Sequence, residues 1–193
     1  MFRRRLLAAT RPAVETWDYV WDYTMGDPMQ VILGLFIFQQ GPVNPEITEN
    51  GVILRAGSES NVYSGYRYGG TGNNGVLECT AIITSPEVSE NDGFRLSVRY
   101  ANSRNGAQLC VRNNFGLYTE PNGDNYIGSL PNPNAEHTYR LAVDENSASY
   151  WVDGIPVALN VPHSTVWADK TWVGVRNTAE VLLRKIKIRI GWI

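Results

Sequence analysis

The chain has 193 residues, enough for one domain with a short appendage, and a composition of 43% hydrophobic and 19% charged residues excludes a disordered tail or a coiled coil. Seventeen Lys and Arg against nineteen Asp and Glu give a formal charge of −2, too balanced for a general nucleic-acid binder, whose basic face dominates the count. Bulk charge therefore names no partner, and its distribution has to be read along the chain.

Arg3, Arg4, Arg5 and Arg11 make the first eleven residues basic with no acid among them. A secretory signal needs an apolar core of about 7–15 residues, and here Leu6–Ala9 gives way at once to Thr10, Arg11 and Pro12, so no signal peptide is expected. Trp17, Tyr19, Trp21 and Tyr23 then alternate with Asp18, Val20 and Asp22. As a strand this presents one aromatic face; as a helix it pairs Trp17 with Trp21 and Tyr19 with Tyr23. Either way the apolar area needs cover, on its own domain or on a neighbouring subunit. Residues 1–44 read as a basic, aromatic arm, with Arg3, Arg4, Arg5, Trp17, Tyr19, Trp21 and Tyr23 as attachment candidates. The apolar run Val31–Phe38 is broken by Gly34 and is far short of the roughly 20 residues that span a bilayer, so no membrane insertion is expected; it reads as core or as interface.

From residue 45 onward the hydrophobic period is two. Strands are expected at Val52–Ala56, Val76–Thr84, Ala107–Arg112, Tyr126–Leu130, His137–Val143, Ala148–Asp153, Ile155–Leu159 and Trp172–Arg176. Two more alternate most cleanly: Phe94, Leu96 and Val98 against Arg95, Ser97 and Arg99, and Ile186, Ile188 and Ile190 against Lys185, Lys187 and Arg189. Residues 57–75 form a Gly/Ser/Asn/Tyr segment read as a loop. Its Tyr63, Tyr66 and Tyr68 offer rigid amphipathic contact area for sugar or protein. Cys79 falls on the apolar side of its strand and Cys110 on the side of Gln108 and Arg112, so the parity opposes a disulfide. Trp151 is out of phase with Tyr150 and Val152, which puts it on an outer face as a candidate platform for a pyranose ring.

Catalytic patterns are scarce. Glu87, Glu90 and Asp92 lie in a turn, and His137 and His163 lack the context of a nucleophile or metal motif. Glu120, Asn122, Asp124 and Asn125 supply hard oxygen ligands within one turn, a weak calcium candidate; no other cofactor is expected.

The segment His137-Thr138-Tyr139-Arg140-Leu141-Ala142-Val143 followed by Tyr150-Trp151-Val152-Asp153-Gly154 resembles the paired strands of concanavalin-like and laminin-G-like jelly rolls. That resemblance covers roughly residues 45–193 and implies an all-β, antiparallel jelly-roll sandwich. Glycanases of that fold carry catalytic carboxylates as E-x-D-x-x-E, and no such spacing occurs here. The opening Met1–Leu7 with Trp17-Asp18-Tyr19 and Trp21-Asp22-Tyr23 resembles the start of small bacteriophage structural proteins, which implies a non-enzymatic virion component: capsid decoration, head fibre or tail adhesin. Its partners would be other virion proteins, its own copies in a homo-oligomer, and host-surface glycans; no specific nucleic acid is implied. A free carbohydrate-binding module is the alternative, and a glycanase the last.

Overall fold

The computed structural model of the chain describes residues 15–40, 44–57, 63–69, 75–84, 93–99, 105–112, 115–120, 125–132, 134–144, 146–162, 164–165, 171–177 and 179–190. In chain order the strands are β1 (Tyr19–Asp22), β2 (Leu35–Gln40), β3 (Glu46–Thr48), β4 (Gly51–Arg55), β5 (Tyr63–Tyr68), β6 (Gly75–Ile83), β7 (Gly93–Arg99) and β8 (Asn105–Arg112). They continue with β9 (Gly116–Glu120), β10 (Asn125–Ser129), β11 (Glu136–Val143), β12 (Ser147–Val152), β13 (Ile155–Pro162), β14 (Ser164–Thr165), β15 (Thr171–Arg176) and β16 (Glu180–Ile190). One short helix, α1 (Pro28–Val31), lies between β1 and β2; Pro28 opens it and the Asp27 side chain accepts from the Met29 amide at 2.9 Å.

Two antiparallel sheets result, as the period-two reading requires. The first runs β13-β12-β11-β6-β16-β4-β3, with β1 also on β16. The second runs β10-β9-β8-β7-β15-β5-β2, with β14 on β8. The fold is thus the expected jelly-roll sandwich. Between the sheets lie Leu77, Cys79, Ala81 and Ile83 of β6, Phe94, Leu96 and Val98 of β7, and Tyr139, Leu141 and Val143 of β11. Phe94 and Tyr139 meet across the layers edge to face, with ring centroids 5.1 Å apart.

The hairpin β12–β13 closes through Asp153 and Gly154, both at positive φ (52° and 75°), the conformation a two-residue hairpin turn demands. Asp153 is further fixed: its carboxylate accepts from the Thr138 amide at 2.8 Å and lies 2.7 Å from Nδ1 of buried His137, whose Nε2 donates to the Asn132 carbonyl. His137 is therefore a structural clamp. Both cysteines are free and buried, in line with their opposite parity.

The sequence reading needs correction at the front of the chain. Residues 19–40 do not stand apart from the sandwich; they supply β1 to the first sheet and β2 to the second. Tyr19 and Trp21 pair with Ile188 and Ile186 and turn inward, Trp21 being fully buried with its indole N–H on the Gly26 carbonyl at 2.7 Å. Val31–Phe38 is neither one strand nor a free surface: it ends α1, buries Ile32 and enters β2 through buried Leu35. Arg3, Arg4 and Arg5 lie outside the described residues.

A second difference lies in β16. Val181 and Leu183 face the core, then Ile186 and Ile188, a change of parity absorbed by a register shift between Leu183 and Lys185. That bulge marks where the strand's outer neighbour changes from β4 to β1.

Candidate functional site

The outer face of the second sheet is the most elaborated surface among the described residues. Its side chains come from alternate positions of strands that are far apart in sequence, brought together by register. One row runs Phe36, Arg67, Trp172, Ser97 and Gln108 across β2, β5, β15, β7 and β8. The next runs Gly65, Gly174, Arg95, Cys110, Tyr118 and Tyr126 from β5 to β10. In a third, Arg176 pairs with Gly93 and Arg112 with Gly116; a Cβ at Gly93 would fall 3.1 Å from that of Arg112, so the glycine separates the two arginines.

Two aromatic rings lie along their own strands over a glycine two residues away. A Cβ on Gly174 would meet the Trp172 ring at 2.6 Å, and one on Gly116 would meet the Tyr118 ring at 2.7 Å. Absence of a side chain is what lets each ring lie down. The Arg112 guanidinium sits 4.5 Å over the Tyr118 ring centroid, and that of Arg67 5.8 Å from the Phe36 ring.

The middle of this face is removed from solvent: Arg95 is 5% exposed, Arg112 3% and Trp172 6%. Its two ends are open, at Phe36 and at Tyr126, the latter 57% exposed. The clean alternation of β7 predicts an apolar inner side and a solvated outer side; instead Arg95 and Ser97 are as buried as Phe94 and Leu96. Ser97 Oγ is buried with no hydrogen-bond partner, a costly state for a hydroxyl in a finished core.

The outer face of the first sheet is built differently. Arg140 lies between two indoles, 5.5 Å from the Trp17 ring and 5.3 Å from the Trp151 ring, and pairs with Glu15 and Glu78. Lys187 reaches Glu78 at 2.6 Å and packs over Trp17 at 5.0 Å, while Arg189 pairs with Glu15 at 3.4 Å. Arg140, Arg189 and Lys187 hold Glu15's carboxyl below the ordinary glutamate range, the Arg140 hydrogen bond first. This network of three bases and two acids ties Glu15 and Trp17 across the sheet.

These placements sort the residues singled out in the sequence. Tyr66 and Tyr68 are not loop side chains: β5 carries them into the core, where burial pushes the Tyr68 phenol up to about 12 and Tyr19 packs against it at 5.6 Å. The repeated Ser64, Tyr66, Tyr68 parity is the signal that the Gly/Ser composition masks. Tyr63 holds the register position opposite Arg176 and Gln40, on the strand edge of the arginine face. Trp151 is on an outer face as its phase requires, but half-buried against Arg140. Tyr23 lies in a 3-10 turn under the Arg184 guanidinium, 5.0 Å away, and Trp17 on the first sheet's outer side. The calcium candidates Asn122 and Asp124 lie outside the described residues, as do Glu87, Glu90, Asp92 and His163, and Glu120 is placed by backbone alone at the end of β9. No cluster of metal-ligating side chains occurs among the described residues. Among the described residues, no helix is long and apolar enough to cross a membrane.

No protein-family model matches the sequence, and comparison with curated proteins finds no match. Solved structures match in shape. The carbohydrate-binding module CBM66 from Bacillus subtilis superposes with a TM-score of 0.55 at 12% identity, over 81% of this chain and 95% of that one. The Crh5 transglycosylase in complex with NAG reaches a TM-score of 0.62 at 8% identity, over 90% and 84%. The carbohydrate recognition domain of Emp46p gives 0.52 at 12% identity, over 90% and 99%. At these identities the likeness establishes a lectin-like jelly-roll sandwich and nothing finer.

Proposed function

We propose that the chain is a carbohydrate-binding sandwich that takes its glycan on the outer face of the second sheet. The observation that carries this reading is the aromatic surface left open at the ends of that face, Phe36 at one and Tyr126 at the other, the latter stacked edge to face on the Tyr118 ring that lies over Gly116. A flat ring supplies a stacking surface for the C–H face of a sugar, and the flanking donors fix hydroxyl and ring oxygens. Support comes from the recognition domain and the binding module of like fold. Among the described residues this face offers guanidinium and aromatic groups, and the two opposed carboxylates, about 5–9.5 Å apart, that glycoside hydrolysis requires are not among them. Binding without catalysis is therefore the reading we adopt, although the Crh5 transglycosylase shares the fold.

The narrower role of a virion component anchored through its N-terminus draws no support from the described residues. Trp17, Tyr19, Trp21 and Tyr23 are engaged on the chain's own sandwich. We accordingly place the free binding module first.

A glycan array probed with the full chain tests the proposal, repeated with Phe36→Ala and Trp151→Ala. Binding that Phe36→Ala weakens and Trp151→Ala leaves intact supports the second sheet as the site. Loss with Trp151→Ala alone would move the site to the first sheet, and an array with no hits would end the carbohydrate reading.

A further inference from the structure

We propose that His137 is a pH-sensitive latch: its doubly protonated ring ties the loop before β11 to the β12–β13 turn, and loss of one ring proton releases the loop while the turn stays closed.

The ring stands near the start of β11 with its side chain only 5% exposed, between two oxygens. Nδ1 lies 2.7 Å from Oδ2 of Asp153, and Nε2 lies 3.2 Å from the Asn132 carbonyl. A carbonyl and an ionised carboxylate both only accept. Neutral imidazole carries one N–H and serves one of the two oxygens; imidazolium carries two and serves both.

The two sides of the latch are not equal. The second oxygen of Asp153 accepts from the Thr138 amide at 2.8 Å, and the Asp153 amide donates back to the Thr138 carbonyl at 2.8 Å. A ring with one proton keeps it on this side, where the acceptor is charged. The lone pair of Nε2 then faces the Asn132 carbonyl, and that tether is lost. Asn132 depends on its tethers: its φ of 50° lies in the left-handed region, immediately before Pro133, a conformation that persists only where the surroundings hold it. Its carbonyl also accepts from the Ala135 amide at 2.8 Å, and Leu130, at the loop's other end, donates to the Phe115 carbonyl at 3.0 Å.

The loop Leu130-Pro131-Asn132-Pro133-Asn134-Ala135 carries no titratable side chain, so a pH response there has to come from a neighbour. Around the ring, β6 places Ala81 opposite it with Cys79 two residues on, and burial, with the charge of Glu78, pushes that thiol well up. Burial does the same to the phenol of Tyr139, whose ring centroid is 6.2 Å from that of His137. Glu136 pairs with Arg184 at 3.2 Å, and β12 sets Val152 opposite Tyr139. Across the sandwich, β7 and β8 contribute Phe94, Leu96, Val98, Ala107, Leu109 and Val111 to the core, none of them charged. Histidine is the side chain that changes charge between about pH 5 and pH 8. Stability that rests on the protonated ring is complete in acid and is lost as pH rises.

NMR on the isotope-labelled full chain from pH 5 to pH 9 tests the latch, with the His137 ring nitrogens and amide-exchange protection read together. Both ring nitrogens should carry hydrogen at pH 5. As one proton leaves, the Leu130 and Ala135 amides should lose about tenfold or more of their protection, while the Thr138 amide keeps its own. Asp153→Asn retains an acceptor for the Thr138 amide and suits the positive φ; it should move the transition to lower pH by about one unit or more. His137→Gln should abolish the transition, and Asp153→Asn carries the test alone if that variant does not fold. A ring with a single proton at pH 5, a ring that does not titrate in this range, loop protection that does not follow the ring, or a transition unmoved in Asp153→Asn would overturn the inference.

Discussion

Arg112 stacks its guanidinium on the ring of Tyr118, and Tyr118 in turn occupies the space above Gly116, the residue that Arg112 faces across the β8–β9 ladder. The three positions form one unit: glycine makes room, tyrosine lies down, arginine is held over it. Gly116→Val would push the Tyr118 ring out of this position. The expected outcome is weakened glycan binding with a modest stability loss, about 1–3 kcal/mol from overpacking. Paired urea melts and binding isotherms check it; intact binding at full strength would mean the stack plays no part in recognition.

Tyr139 carries a fully buried hydroxyl with no hydrogen-bond partner between the two sheets. Burial also pushes its phenol well above the ordinary range, because the charged form is excluded there. Tyr139→Phe removes a desolvated group and loses no partner. The variant should be as stable as the natural protein or more so, by up to about 2 kcal/mol, with its glycan affinity unchanged. A clear loss in chemical denaturation would show that the hydroxyl is satisfied after all.

The front of the chain separates core from clasp. Trp21→Ala deletes a wholly buried indole and should cost about 3–5 kcal/mol, enough to unfold a marginal domain. Glu15→Ala breaks exposed ion pairs to Arg140 and Arg189 and should cost less than about 1 kcal/mol. Thermal melts of the two variants rank them. Equal, small losses would mean that β1 is an accessory to the sandwich.

Acid stability follows from the same contacts. Arg140 holds Glu15, and Arg55 holds Glu180, below the ordinary value of 4.5, and Asp22 is held down by Thr24. Groups whose folded values are depressed contribute stability that is complete above their unfolded values and is lost as pH falls through the folded ones. The chain should therefore lose stability as pH drops below about 4.5, and the double variant Glu15→Gln, Glu180→Gln should show a shallower acid limb. Denaturation midpoints measured from pH 7 to pH 2 test this; superimposable acid limbs would contradict it.

The sandwich was legible because its strands obey period two and its turns carry the residues that turns need, as at Asp153-Gly154. The bulge in β16 was not read, although the parity change from Val181 and Leu183 to Ile186 and Ile188 carries it. The candidate face was not, for a topological reason: Arg67, Arg95, Arg112 and Arg176 sit on four strands whose adjacency is decided by the order β8-β7-β15-β5. Read one strand at a time, each arginine looks like the solvated side of an alternating pattern. Only the short spacings Gly116-x-Tyr118 and Trp172-x-Gly174 hinted at rings laid over bare backbone. Tyr66 and Tyr68 misled because Gly and Ser around them suggest a loop, while Gly65 is there to let β5 pack closely on Val173 and Gly174 of β15.

Amide chemical-shift mapping by NMR, with an oligosaccharide that binds on the array titrated into the full chain, tests the central claim most directly. The account predicts shifts clustered at Phe36, Arg67, Ser97, Gln108, Tyr118, Tyr126 and Trp172, with Trp17, Arg140 and Trp151 unmoved. Shifts centred on Trp151 and Arg140, or none at saturating ligand, would contradict it.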